Sequence, residues 1–398
     1  MIKNAMRGLM VLLWLVWAMV AGARDRYTVV VSLDGFRSDY PAIYSTPHLD
    51  EMARVGVTGD MQSSFPSSTF PNHYAQATGL VPDHNGIVNN TFYDPASGTL
   101  YSMGDAAVRD NPMYFLGEPI WLTAQKQGVK AGVVYWVGSD VAVGGKYPTY
   151  YRHYNNEPQL PFEERVDSAV AMLRKPKKDR PRLVMLYFSE PDHAGHVYGP
   201  RSAETGAAVA LADSMVGLLR RRLAELPIAK RINLIVVSDH GMTDISPDRV
   251  VRPSDYIKKE WYEVMNGQAP TSIFSREGCR DSIYRALRGV PHINVWKKEE
   301  IPAHLNYGSS PRVGDIIVAP DLGWQFIEKP RNAKGAHGFF PEEKDMLPIF
   351  RAAGPDFKRG YVSARFINVD LYPLLAHLLG IKPEKTDGVF ERISPMLR

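Results

Sequence analysis

The sequence predicts an α/β fold built on a mostly parallel central sheet with helices on both faces. Three observations carry this expectation. Short β-branched apolar runs recur along the chain, stretches of helical character separate them, and polar residues collect where the runs end. A strand buried on both faces must be apolar throughout, and parallel strands need a crossover, usually a helix. In such sheets ligands bind in the crevice at the carboxyl ends of the strands.

The runs that read as strands are Tyr27–Leu33, Lys130–Trp136, Leu183–Ser189 and Ile232–Ser238. The intervening stretches Thr46–Val55, Pro119–Gln127, Phe162–Arg174 and Ala203–Leu226 read as helices. Residues 252–335, rich in Pro, Gly and aromatics, read as irregular with short antiparallel strands such as Gly314–Ala319. Asp370–Gly380 reads as a closing amphipathic helix with Gly380 as its C-cap. No repeat or clear linker interrupts residues 24–398, so they read as a single domain.

Composition narrows the class. The chain has 398 residues, 44% hydrophobic and 23% charged, with a formal net charge of +4. Lys3 and Arg7 account for two of those charges, and no basic block argues for a nucleic-acid-binding surface. Lys3 and Arg7 precede an apolar run, Leu9–Val20, and then Ala21-Gly22-Ala23. This is the layout of a secretory signal peptide over residues 1–23. The run is short for a bilayer span, although an uncleaved anchor has a similar pattern. The one cysteine, Cys279, leaves an exported chain without disulfides, which fits a bacterial periplasm better than an animal secretory route. Secretion into the medium remains the alternative.

The strand ends carry the chemistry. Asp34 follows the first strand, Asp192 the third, and Asp239-His240 the fourth. A single aspartate after a strand is usually a helix cap. Three together, one beside a histidine, favour a metal site. Asp192 and His196 are spaced i, i+4 and share a helical face. His337 lies in Gly335-Ala336-His337-Gly338, where glycine permits close approach. Mixed carboxylate and imidazole donors suit zinc, and cobalt or manganese also accept them. Thr69 precedes Phe70-Pro71 at a helix start around Pro71, where N–H groups favour a negative oxygen. Alone it would read as an N-cap.

These motifs resemble those of the nucleotide pyrophosphatase/phosphodiesterase family of the alkaline phosphatase superfamily. They are Ser32-Leu33-Asp34-Gly35-Phe36-Arg37, Thr69-Phe70-Pro71-Asn72-His73, His84-Asn85-Gly86-Ile87-Val88-Asn89-Asn90, Glu190-Pro191-Asp192 with His196, Ser238-Asp239-His240-Gly241-Met242 and His337-Gly338. They run in order from about residue 27 to 380. The resemblance implies an alkaline phosphatase-like fold and two Zn2+ ions. It implies that Asp192, His196 and His337 hold one, and that Asp34, Asp239, His240 and the Thr69 oxygen hold the other. It further implies that Thr69 is the nucleophile, forming a phosphothreonine intermediate, and that Asn90 binds a non-bridging phosphate oxygen beside the Phe70 N–H. Two divalent ions among three aspartates leave one positive charge, matched to the single negative charge of a phosphodiester.

In nucleotide-cleaving members of the family, aromatics matching Phe70 and Tyr154 sandwich the base, which implies nucleotide phosphodiester or pyrophosphate substrates. A surface role for Tyr154 is the competing reading. Phe339-Phe340 after His337-Gly338 departs from the family pattern and touches substrate preference rather than metal binding. A phosphomonoesterase, a phosphonate hydrolase or a lysophospholipid phosphodiesterase would use the same core. A catalytically silent phosphate-binding protein would not need the full donor set with Thr69.

Overall fold

The structure, a computed structural model, describes residues 26–154 and 158–398. The signal-peptide reading over residues 1–23 therefore lies outside the described residues. In chain order the main sheet takes β1 (Tyr27–Leu33), β2 (Val57–Gln62), β3 (Ala131–Val134), β4 (Tyr150–Arg152), β5 (Leu183–Phe188), β6 (Ile232–Val237), β7 (Phe350–Ala353) and β8 (Tyr361–Ile367). Their spatial order is β8-β2-β7-β6-β1-β5-β3-β4. The strands run parallel except β7, which is antiparallel to both β6 and β2. The expected mostly parallel sheet is what forms.

The sheet is apolar on both faces because successive side chains alternate between them. Val30, Met185 and Ile235 enter one core, and Val29, Val31, Val184 and Val236 enter the other. Helices α1 (Pro47–Val55), α2 (Thr69–Thr78), α3 (Ile120–Lys126), α4 (Phe162–Arg174), α5 (Asp192–Tyr198), α6 (Ala203–Ala224) and α7 (Leu371–Leu379) follow in chain order. Tyr74 of α2, Trp121 of α3 and Leu374 of α7 cover the first face. Met52 of α1, Val166 of α4 and Val216 of α6 cover the second. Among the described residues no helix is long and apolar enough to cross a membrane.

Four expectations are corrected. The strand expected over Lys130–Trp136 stops at Val134, because Tyr135 adopts φ 64° and turns the chain out of the sheet. The helix expected from Pro71 starts at Thr69. The closing helix keeps its Gly380 cap at φ 65°, but eight of its nine residues are buried rather than one stripe. It fills the space between α2, α3 and the C-terminal segment. Residues 252–335 are more regular than expected. They build a four-stranded antiparallel sheet from Tyr262–Gly267, Thr271–Ser275, Ile293–Lys297 and Ile316–Pro320, with a helix over Arg280–Leu287. Ile273, Ile283, Leu287, Ile316 and Val318 give it a core of its own.

Register then positions the site. Leu33 pairs with Phe188 on one side, and Ser32 with Val237 on the other. The three central strands therefore end level. The residues that follow them, Asp34, Ser189 and Ser238-Asp239, emerge into one crevice.

Candidate active site

The crevice gathers the aspartates first. Asp34 accepts a 2.6 Å hydrogen bond from the Tyr187 hydroxyl at Oδ2, and its Oδ1 is buried without a hydrogen-bond partner. Gly35 holds the turn at φ +64°, and a Cβ there would come within 2.9 Å of Asp192. Only glycine lets the first strand's loop approach Asp192 this closely. Asp239 Oδ1 accepts from the Gly35 N–H at 3.2 Å and lies 3.1 Å from Ser238 Oγ. Its Oδ2 is also without a hydrogen-bond partner, as is Asp192 Oδ1.

The histidines are aimed by the backbone. The Nδ1 of His196 lies 2.8 Å from Gly335 O, that of His240 2.7 Å from Gly241 O, and that of His337 3.1 Å from Ser67 O. A carbonyl only accepts, so each Nδ1 carries the proton. Each Nε2 is then the ring atom that faces the aspartates. His240 Nε2 lies 3.0 Å from Asp239 Oδ2 and 3.6 Å from Asp34 Oδ1. Asp192 Oδ1 lies 3.5 Å from His196 Nε2 and 3.8 Å from His337 Nε2. Ligand atoms of Asp34, Asp239 and His240 fall within 4.8 Å of one another, as do those of Asp192, His240 and His337. His240 thus borders both groups, and His196 joins the second through Asp192.

The electrostatics ask for cations. Three buried carboxylate oxygens, each without a hydrogen-bond partner, face imidazole Nε2 atoms, an arrangement that costs free energy unless positive charge sits among them. Burial, then Asp239 and Asp192, push the Asp34 carboxyl well above its ordinary range. Burial also works against the Asp239 charge, but His240 and His73 outweigh it and hold that carboxyl down. Burial, followed by the His240 and His196 rings, keeps His337 well below the usual imidazole value and so neutral. Burial works against charge on His240, but Asp239 outweighs it and raises that imidazole. A divalent ion would displace the protons that His240 and Asp34 favour and take neutral imidazoles and ionised carboxylates as donors.

Thr69 opens α2 and reaches into this cluster. Its Oγ1 lies 3.1 Å from His240 Nε2. The loop before it is pinned by Asn72, whose Nδ2 donates to Pro66 O at 2.8 Å and to Ser68 O at 2.9 Å. Phe70 N–H donates to Asn90 Oδ1 at 2.9 Å. Phe70 N–H, expected beside Asn90 as a donor to the phosphate, is bonded to the Asn90 side chain in this structure. The bond fixes the Asn90 amide so that Nδ2 is the group left to donate. Gly338, at φ +101°, follows His337 where a Cβ would meet Ala269 O at 2.3 Å.

An aromatic cavity of about 220 Å3 adjoins Thr69. Phe70, Trp136 and Tyr154 line it, with Arg109 and Asp140. Tyr154 is half-buried. Its N–H donates to Asp140 Oδ2 at 3.1 Å, and the Arg109 guanidinium lies 5.6 Å from its ring centre. The structure therefore gathers Thr69, Asn90 and the six ligand candidates in one crevice, and places Phe70 and Tyr154 around one cavity. His193 belongs to neither ligand group; it borders the cavity and is exposed. His73 is buried, bonded to Ser32 and to the Thr69 carbonyl.

Sequence reasoning missed Tyr187. The strand Leu183–Phe188 reads as uniformly apolar, and the one signal was a hydroxyl-bearing ring beside its end. Tyr187→Phe should keep the ring's packing and lose the hydrogen bond to Asp34. We expect metal affinity to fall by about 10- to 100-fold, as for other groups that orient a ligand. Zinc titration of the stripped protein measures it, and an unchanged affinity would exclude the positioning role.

Fold and donor set define a class: an alkaline phosphatase-like α/β fold whose strand ends converge carboxylates, imidazoles and a threonine hydroxyl. The chain belongs to the type I phosphodiesterase / nucleotide pyrophosphatase family, whose model matches residues 28–340. Human ectonucleotide pyrophosphatase/phosphodiesterase family member 5 is 34% identical over 373 residues, covering 93% of this chain and 77% of that protein. Rat family member 3 is 34% identical over 387 residues, and there the chain spans 44% of the relative's length. Venom phosphodiesterase 2 of Crotalus adamanteus is 32% identical over 394 residues, with 48% of its length spanned. The structure of murine ectonucleotide pyrophosphatase/phosphodiesterase 5, inactive through a threonine-to-alanine change and in complex with AMP, superposes with a TM-score of 0.89. Its sequence is 35% identical, over 94% of this chain and all of that one.

Proposed function

We propose that this protein hydrolyses phosphodiester and pyrophosphate bonds of nucleotides, releasing nucleoside 5'-monophosphates, with two Zn2+ ions and Thr69 as nucleophile. The observation that carries the reading is the set of three donor-free carboxylate oxygens facing three imidazole Nε2 atoms, with the Thr69 hydroxyl at their edge. Asp192, His196 and His337 would hold one ion, and Asp34, Asp239 and His240 the other, with Thr69 Oγ1 beside it. When bound, such ions lower the pKa of a coordinated hydroxyl and neutralise charge on phosphate oxygens.

The chain's own residues supply the rest. Phe70 and Tyr154 receive the base in the aromatic cavity, as the AMP bound by the murine relative suggests. Thr69 Oγ1 attacks phosphorus, the bond to the leaving oxygen breaks, and a phosphothreonine forms. Asn90, its amide oriented by Phe70 N–H, donates from Nδ2 to a non-bridging oxygen as charge builds there. Water then hydrolyses the phosphothreonine and restores the hydroxyl. The threonine change that inactivates the murine relative supports the role of Thr69.

We further read residues 24–398 as one catalytic unit behind a leader over residues 1–23, exported to the periplasm or beyond the cell. The names of the relatives, ectoenzymes and venom enzymes, support export. Diester preference tests the function. Turnover of bis-(p-nitrophenyl) phosphate should exceed that of p-nitrophenyl phosphate. A preference for the monoester would transfer the protein to the phosphomonoesterase reading.

A further inference from the structure

One turn into the helix that Thr69 opens stands a fully buried histidine, His73. Burying an imidazole costs free energy unless its nitrogens are bonded, and here both are. Nδ1 lies 3.0 Å from the Thr69 carbonyl oxygen, and Nε2 lies 2.7 Å from Ser32 Oγ. A carbonyl only accepts, so Nδ1 is the donor. Ser32 sits on β1, two residues before Asp34. The ring therefore ties the nucleophile's own peptide to the strand that delivers an aspartate to the site. Asp239 Oδ2 lies 3.4 Å from the same Nδ1.

Packing gives the ring one orientation. Trp136 and Tyr187 meet it edge to face, with ring centres 5.3 and 5.2 Å away and planes inclined by 85° and 83°. Trp136 Nε1 also donates to the His73 carbonyl oxygen at 2.9 Å. Trp136 lines the aromatic cavity, and Tyr187 holds Asp34. The fixed ring matters because Thr69 is the first residue of its helix, with no turn before it and no side-chain capping bond at its N-cap. The peptide that follows Thr69 is what sets its Cα, and with it the Oγ1 that lies 3.1 Å from His240 Nε2.

We propose that His73 is a positioning residue for the reaction: by donating from Nδ1 to the Thr69 carbonyl it fixes the peptide that carries the nucleophile, and so aims Oγ1 at the substrate phosphorus. The inference rests on the phosphodiesterase reading above and adds what holds Thr69 in its attacking position. His73 touches neither substrate nor leaving group, and it acts only through Thr69.

The test separates the two ring nitrogens. His73→Asn brings an amide N–H close to the place of Nδ1, whereas His73→Gln brings one to the place of Nε2. The zinc-loaded full chain and both variants are assayed with the p-nitrophenyl ester of thymidine 5'-monophosphate, and orthovanadate binding is followed by calorimetry. Vanadate expands its coordination when a hydroxyl adds to it, so it reads the aim of Thr69 without turnover. In His73→Gln kcat should fall at least about 10-fold, on the scale of a misplaced reacting group, with zinc content and the AMP inhibition constant unchanged. Vanadate binding should weaken by a similar factor, and His73→Asn should recover most of both. Equal losses in the two variants mark a structural role and overturn the proposal. An unchanged kcat in His73→Gln, a loss carried by KM alone, or a loss that follows zinc content also overturns it. If the parent itself turns over no diester, the phosphodiesterase reading fails and vanadate alone decides. Weaker binding by His73→Gln than by His73→Asn then upholds the aiming of Thr69, and equal binding overturns it. If His73→Gln does not fold, His73→Asn is read against Thr69→Ala. A kcat near the parent's upholds the proposal, and one fallen to that of Thr69→Ala overturns it.

Discussion

Thr69→Ala is expected to lower kcat for a nucleotide diester by at least ~10³-fold, with zinc content unchanged at the three-aspartate cluster. A nucleophile that forms a covalent intermediate is worth this much or more when removed, and the residual rate reflects the binding and electrostatic groups that stay. The geometry says why the loss should be chemical rather than structural. Thr69 is the first residue of α2, and its side chain makes no capping bond to that helix. The cap position is Ser68, and the preceding loop is held by Asn72 rather than by the threonine hydroxyl. Removing the hydroxyl therefore leaves the helix start intact. Rapid-quench assays with labelled substrate should trap phosphoprotein in the parent and none in the variant. A variant that keeps the parent's rate would show that water attacks directly and that Thr69 is only a helix-start residue.

Asp34→Asn is the second large effect, and its sign depends on metal. Without metal, Asp34 lies in burial beside Asp239 and Asp192, and all three charges weigh against one another. An amide removes one negative charge and can still accept from Tyr187. The stripped variant should then melt no lower than the stripped parent, and up to about 2–4 °C higher, the shift roughly 1 kcal/mol produces in a large domain. With zinc the order reverses. Binding at 100 times Kd stabilises a protein by roughly 2.7 kcal/mol, and the variant, lacking one anionic donor, should forfeit much of that along with at least ~10²-fold in activity. Calorimetric melting with chelator and with zinc reads both signs. If Asp34→Asn destabilised the stripped and zinc-loaded forms equally, the carboxylate would be a structural hydrogen-bond acceptor and the metal role would fall.

The three central strands were legible because burial on both faces leaves no polar position in Tyr27–Leu33, Leu183–Phe188 or Ile232–Val237 apart from small or hydrogen-bonded ones. Val57–Gln62 was not, since it alternates buried and half-buried residues and includes Gly59 and Asp60. Phe350–Ala353 holds a buried arginine, Arg351, and finds its partners β2 and β6 far away in sequence. Tyr361–Ile367 exposes Val362 and Arg365 at the edge of the sheet. Nothing local marks such segments as strands, because pairing across long sequence separations makes them so.

The site divides in the same way. The sequence by itself determined which residues could bind metal and attack. Carboxylate, imidazole and hydroxyl are intrinsic chemistries, and their placement after apolar runs is readable from the runs. Thr69, Asp34, Asp192, His196, Asp239, His240 and His337 could all be named on that basis. Only the tertiary structure decided how those groups are aimed. The level ends of three paired strands bring the aspartates together, and backbone carbonyls from Ser67, Gly241 and Gly335 turn the imidazoles toward them. Tyr187 on Asp34, Phe70 N–H on Asn90, and the three aspartate oxygens left without partners are likewise products of packing. Orientation and the lack of a partner are relations between distant residues, and the physical quantity that fixes them, close approach in three dimensions, has no one-dimensional trace.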